Sequence, residues 1–138
     1  MRKTFAVLAT LLLLVVVAQF YFAASGAFST DPDRAAYRPH HALGYVIFLL
    51  PLLMAGVAAP ARLPRRLILS TLLVTVLTTV EVVVAKVAWA IGSGTAGQLV
   101  FGLHAVCGTA LLAVVWTVFR QARPILTGRP HPNAAADR

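Results

Sequence analysis

Four apolar runs, each close to the ~20 residues that carry a helix across a bilayer, alternate along the chain with short connectors. Their bounds predict helices over about 5–27, 40–59, 67–91 and 97–120. The connectors contain "SGAFSTDPDRAAYRP", "PARLPRR" and "GSGTAG", and their Gly, Pro, Ser and Asp content marks turns. Residues 1–122 read as one transmembrane domain, and 123–138, with three prolines, as a flexible cytoplasmic tail. The opening "MRK" and the later "ASGA" have the outline of a secretory signal. The apolar run is too long for a signal core and carries bulky "QFYF" before the small residues, so a retained first helix is expected. Helices joined by short loops pack most simply up and down. The expected fold is all-α: an integral-membrane up-down four-helix bundle with both termini inside. Pairing the first two helices with the last two gives no convincing echo, so no internal repeat is expected.

Composition agrees with the pattern. Of 138 residues, 59% are hydrophobic and only 12% charged, with a mean hydropathy of +0.84. A soluble domain of this size needs far more polar surface. The net charge of +8 raises nucleic acid as a partner, but the cations sit at helix ends rather than on a soluble module. They act as topology signals instead, and no nucleic-acid partner is expected. Nine Arg and Lys fall at the N-terminus, second connector and tail; two, Arg34 and Arg38, fall in the first connector, offset by Asp31 and Asp33. The nine mark the cytoplasmic side. The excess of Arg over Lys, with abundant Ala, Val and Leu, fits a bacterial cytoplasmic (inner) membrane. The bilayer is the certain contact; a membrane-protein partner or a homo-oligomer stays open.

The polar residues inside the spans are Gln19, His40, His41, Glu81, Lys86 and His104. Threaded with this topology, all six fall in the outer half of the bilayer, and the inner half is nearly bare of ionisable groups. Intramembrane ionisable residues are costly and usually face a partner or a cavity, so the asymmetry predicts a polar pocket opening outward. At about 100° per residue, the expected inward faces are Leu8, Leu12, Val15, Gln19, Ala23 and Gly26 on the first helix and His40, Gly44, Ile47, Pro51, Met54 and Ala58 on the second. On the third they are Ser70, Val74, Thr78, Glu81, Ala85, Ala88 and Gly92, and on the fourth Gly97, Phe101, His104, Gly108, Leu111 and Val115. Lys86 stands about 140° from Glu81 and is expected to snorkel to the outer interface, where Tyr21, Tyr37 and Trp89 look like belt aromatics.

Two membrane helices that each offer a histidine are a common way to hold b-type haem, with glycines making room for the porphyrin. Here His40 or His41 and His104 would be the axial ligands to a haem iron, with Gly44 and Gly108 beside them. Gln19, Glu81 and Lys86 would line the pocket, and the protein, if redox-active, would be an electron-transfer component. Other readings stay open: interfacial or packing histidines, a pocket for a lipid or quinone in a non-enzymatic subunit, or proton or cation passage through Glu81. Glu81 would pair with His104 or bond the Thr78 hydroxyl. Lone Cys107 excludes an intrachain disulfide and Cys-based zinc motifs.

The stretches "VAQFYFAASGAF", "HHALGYVIFLL", "LPRRLI" and "GQLVFGLHAVCG" resemble an uncharacterised actinobacterial family of small four-helix integral membrane proteins, a domain of unknown function, over roughly residues 3–122. The resemblance implies the fold and a bacterial inner-membrane home, and no activity. Locally, "HHALG" and "LHAVCG" are similar to haem-ligand stretches of membrane b-type cytochromes. Two-haem cytochromes carry histidines on both sides of the membrane, so at most one haem fits this chain.

Overall fold

The computed structural model describes residues 1–30 and 35–127. Four helices follow one another: α1 (Arg2–Ala27), α2 (Arg38–Ala58), α3 (Arg65–Ile91) and α4 (Thr95–Thr127). A single 3-10 turn, Ala35–Tyr37, leads into α2. All four are long and apolar enough to cross a membrane. Asp31, Asp33 and Arg34, weighed above for orientation, lie outside the described residues, as does 128–138.

Local chemistry sets the ends. Pro39 lies in the first turn of α2, where a missing N–H costs no helical bond. Pro64, extended at φ −54° and ψ 136°, caps α3. Gly92 closes α3 at φ 96°, a backbone region open to glycine alone, and its N–H reaches the Ala88 and Trp89 carbonyls. The fourth helix runs past the expected end near 120 and passes through Pro124. Residues 123–127, read from the sequence as tail, are therefore its last turn. The proline removes one backbone donor there, at a helix end where water can serve the freed carbonyl.

Each helix packs on its neighbours in sequence, and α4 closes on α1, leaving α1 opposite α3 and α2 opposite α4. The Arg2 guanidinium Nε donates to the Ala61 carbonyl at 3.3 Å, which places the chain start beside the α2–α3 connector. Arg2, Lys3, Arg62, Arg65, Arg66, Arg120 and Arg123 are all exposed at this basic end.

The tight core lies in the basic half. Phe5, Ala9, Leu12 and Val16 of α1 meet Ile47, Met54 and Ala58 of α2, Leu67, Thr71 and Val74 of α3, and Leu111, Val115, Val118 and Ala122 of α4. Phe5, Leu12, Met54, Val74, Val115 and Val118 have no accessible surface. The outward faces carry Leu14, Leu53, Val83, Val106 and similar residues, as lipid contact requires. The inward stripe of α1 is rotated from the expected one: Phe5, Ala9 and Val16 are buried, and Leu8 and Val15 only partly. An all-apolar helix offers several stripes of equal hydropathy, and packing chooses among them.

The core also contains the repeat that the sequence conceals. Shifting α1 by 62 positions lays Phe5, Ala9, Leu12, Val16 and Gly26 on Leu67, Thr71, Val74, Thr78 and Ala88, and every one of these ten residues is buried. Shifting α2 by 64 lays Ile47, Pro51, Met54 and Ala58 on Leu111, Val115, Val118 and Ala122, again all buried. The bundle is two hairpins, α1–α2 and α3–α4, with matching buried positions, the pattern that a pseudo-two-fold axis along the bundle produces. Membrane proteins built from parallel repeats have this symmetry.

Candidate functional site

The same two shifts carry the polar residues onto one another. Gln19 falls on Glu81, His40 on His104 and Gly44 on Gly108. In each hairpin the histidine of the second helix turns its Nδ1 to the main-chain carbonyl of the polar residue on the first. His40 Nδ1 lies 3.3 Å from the Gln19 carbonyl, and His104 Nδ1 lies 3.1 Å from that of Glu81. A carbonyl only accepts, so each Nδ1 carries the proton and donates. Each glycine, one turn after its histidine, admits the facing side chain: a Cβ on Gly44 would stand 3.7 Å from Gln19 Nε2, and one on Gly108 3.4 Å from Glu81 Oε1. The two imidazoles meet edge-on across the bundle, their ring centres 6.4 Å apart. An aromatic three residues earlier flanks each: Tyr37 edge-on to His40 at 6.3 Å, and Phe101 stacked on His104 at 5.4 Å.

The two halves differ in chemistry. Gln19 offers a neutral amide, whose Nε2 donates to His40 Nε2 over 3.4 Å. Glu81 offers a carboxylate, whose Oε2 lies 2.5 Å from His104 Nδ1. The ring N–H is aimed at the Glu81 main-chain oxygen, and the carboxylate sits to one side as an ion-pair contact. Glu81 is 8% exposed, and Gln19 Oε1, Glu81 Oε1 and Glu81 Oε2 accept no hydrogen bond. A buried acceptor left unpaired costs about 1–3 kcal/mol, so this group of oxygens is short of donors. Thr78 does not help, because its hydroxyl bonds back to the Val74 carbonyl at 2.8 Å.

Of the residues expected to form the site, Gln19, His40, Gly44, Glu81, His104 and Gly108 converge. His41 does not. It is exposed and stacks on Tyr37 at 6.4 Å. Lys86 is exposed on another face of α3, as its angle from Glu81 requires. Tyr37 is no belt aromatic; it is half-buried and lies over Gly26, where a Cβ would meet its ring at 2.8 Å. The sequence carried a signal for these partners in the pattern aromatic-x-x-His-x-x-x-Gly, present at 37–44 and again at 101–108.

The glycine recesses bear on what the site can hold. The Gly108 recess also contains the Phe20 ring, 3.6 Å from the position of a Cβ. Phe20 is 39% exposed and can turn toward lipid. Among the described residues no group of three or more His, Cys, Asp or Glu could hold a bare metal ion, whereas a haem asks for only two axial side chains.

A family model matches residues 19–88, from the Gln19 position through the end of the buried stripe on α3. That is half of the chain. The chain belongs to the DUF6220 family. This family is one of unknown function; its match takes in Gln19, His40, Gly44 and Glu81, and α4 with His104 lies beyond it. No curated protein and no solved structure matches this DUF6220 chain.

Proposed function

We propose that this DUF6220 protein lies in the bacterial cytoplasmic membrane, basic end inside, and binds one b-type haem between His40 and His104 in the outer half. The observation that carries the reading is the imidazole pair on the pseudo-two-fold axis. With ring centres 6.4 Å apart, His40 and His104 are near enough that both would hold one iron. Both rings commit Nδ1 to a carbonyl, the arrangement that fixes the tautomer and leaves Nε2 for a metal. Room for the porphyrin comes from the Gln19 amide, held by one long bond, and from the Phe20 ring turning outward. Bound there, a haem supplies one-electron chemistry; the protein holds it, orients it and keeps the basic half dry.

Expression with ample haem, purification in detergent and a reduced-minus-oxidised spectrum test this. Soret and α bands are expected, lost in His40→Ala and in His104→Ala and retained in His41→Ala. A colourless wild-type protein sinks the reading.

The oxygens that lack donors favour a second reading, a lipid-soluble molecule with a hydroxyl, such as a quinol or a lipid headgroup. Its hydroxyl would donate to Glu81 or Gln19. Such a protein is colourless, co-purifies with an extractable lipid, and loses it on His104→Ala.

A further inference from the structure

The shifts of 62 and 64 positions align the site residues of the two hairpins with one polar exception. Position 19 carries an amide and position 81 a carboxylate, while the histidines, the glycines and the Nδ1–carbonyl bonds repeat. We infer that Glu81 is a positioning residue that makes the two axial imidazoles inequivalent, holding His104 by its Nδ1 more firmly than Gln19 holds His40. The inference rests on the haem reading for its consequence at the iron, and on the geometry alone for its effect on the imidazole.

The chemistry follows from the contacts. His104 Nδ1 has two oxygens of one residue against it, the carboxylate at 2.5 Å and the main-chain carbonyl at 3.1 Å. His40 Nδ1 has one carbonyl at 3.3 Å. A carboxylate beside the Nδ1–H polarises the ring toward Nε2, and does so more than an amide carbonyl alone. His104 is therefore the stronger donor to a ligand on the axis, and it favours the more oxidised state of a bound iron. Burial reinforces the contrast, because charge–dipole contacts strengthen where water is excluded, and Glu81 is 8% exposed. Among the described residues, Lys86 lies on another, exposed face of α3 and Arg38 is exposed, so neither shares this role.

Position 81 is also the one of the two that sets a side-chain oxygen against the Nδ1 of its histidine. At position 19 the side chain instead reaches the Nε2 of its own histidine. The first hairpin thus offers an imidazole whose Nε2 is loosely covered by an amide, and the second one whose Nδ1 side faces a carboxylate. A ligand on the axis meets a strong and a weak partner rather than two equal ones.

The test has two arms on the full chain. In the first, 15N-histidine-labelled protein prepared without haem is observed by NMR, with signals assigned through the single-histidine variants. The His104 Nδ1–H proton is expected well downfield of that of His40. Glu81→Gln should bring it to the His40 position, and Gln19→Glu should move the His40 signal toward that of His104. Opposite movements from the two substitutions are not produced by simple loss of packing. Equal signals in the wild type, or no movement in Glu81→Gln, overturn the inference. In the second arm the haem-loaded wild type and Glu81→Gln are titrated for midpoint potential. Glu81→Gln is expected to keep its haem and to titrate at a more positive potential. An unchanged potential overturns the effect at the iron and leaves the haem reading standing, whereas a wild type that takes up no haem overturns the haem reading, and the first arm alone decides the role of Glu81.

Discussion

Glu81 and His104 make the most consequential contact in the outer half. His104→Ala strands a buried carboxylate, and removing one partner of a buried pair costs about 3–5 kcal/mol. The value should fall toward the lower end, because the His104 side chain is 25% exposed. Glu81→Gln leaves a neutral group and should cost less than His104→Ala in a thermal unfolding series in detergent; the reverse order would remove the carboxylate–imidazole contact as a stabilising element. Gly26 is a second sensitive point. A methyl there meets the Tyr37 ring at 2.8 Å, so Gly26→Ala should push Tyr37 off His40 and cost about 1–3 kcal/mol. Tyr37→Ala in the same background should recover much of that loss. Site membership was legible for Gln19, His40, Glu81 and His104 because a polar residue in an apolar run stands out. Helical phase also set His40 and not His41 on the inward stripe with Gly44 and Ile47, because adjacent residues differ by about 100°; which of the two could be a ligand stayed open in the sequence, and packing leaves His41 exposed.

Among the elements, α2 and α3 are tied by the Thr75 hydroxyl, which donates to the Phe48 carbonyl at 3.2 Å. Thr71 and Thr78 spend their hydroxyls within α3, on Leu67 and Val74. Thr75→Val should therefore loosen the α2–α3 contact by about 0.6 kcal/mol, the usual size of an interhelical hydrogen bond in a membrane protein. Thr71→Val should cost less, and unfolding midpoints of the two variants check the order. Helix number, type and approximate bounds were legible in the sequence, since apolar runs of spanning length admit few alternatives. Two features were not. The last turn of α4 continues through Pro124, where a proline ordinarily marks a boundary. The repeat was hidden because its equivalent pairs, Phe5 with Leu67 or Pro51 with Val115, share burial rather than identity. A membrane core asks for volume and apolarity, and many residues satisfy both.

For the molecule as a whole, two hairpins that each fold on themselves and meet along an axis should survive a broken connector. A chain cut between α2 and α3, expressed as residues 1–61 and 62–138, is expected to reassemble and co-purify; pieces that fail to associate would argue that the hairpins are not autonomous units. The packed basic half also bears on passage through Glu81. Phe5, Leu12, Met54, Val74, Val115 and Val118 are fully buried between Glu81 and the basic end, so proton flux into liposomes should match that of Glu81→Gln.

That dry plug also decides where the electrical field of the membrane falls. Voltage drops most steeply across the least polarisable stretch, which here is the tightly packed apolar half of the bundle. A charge delivered to the pair from its own end therefore crosses less of the field than one delivered from the basic end, where the full drop is worth about 2.3 kcal/mol for each 100 mV.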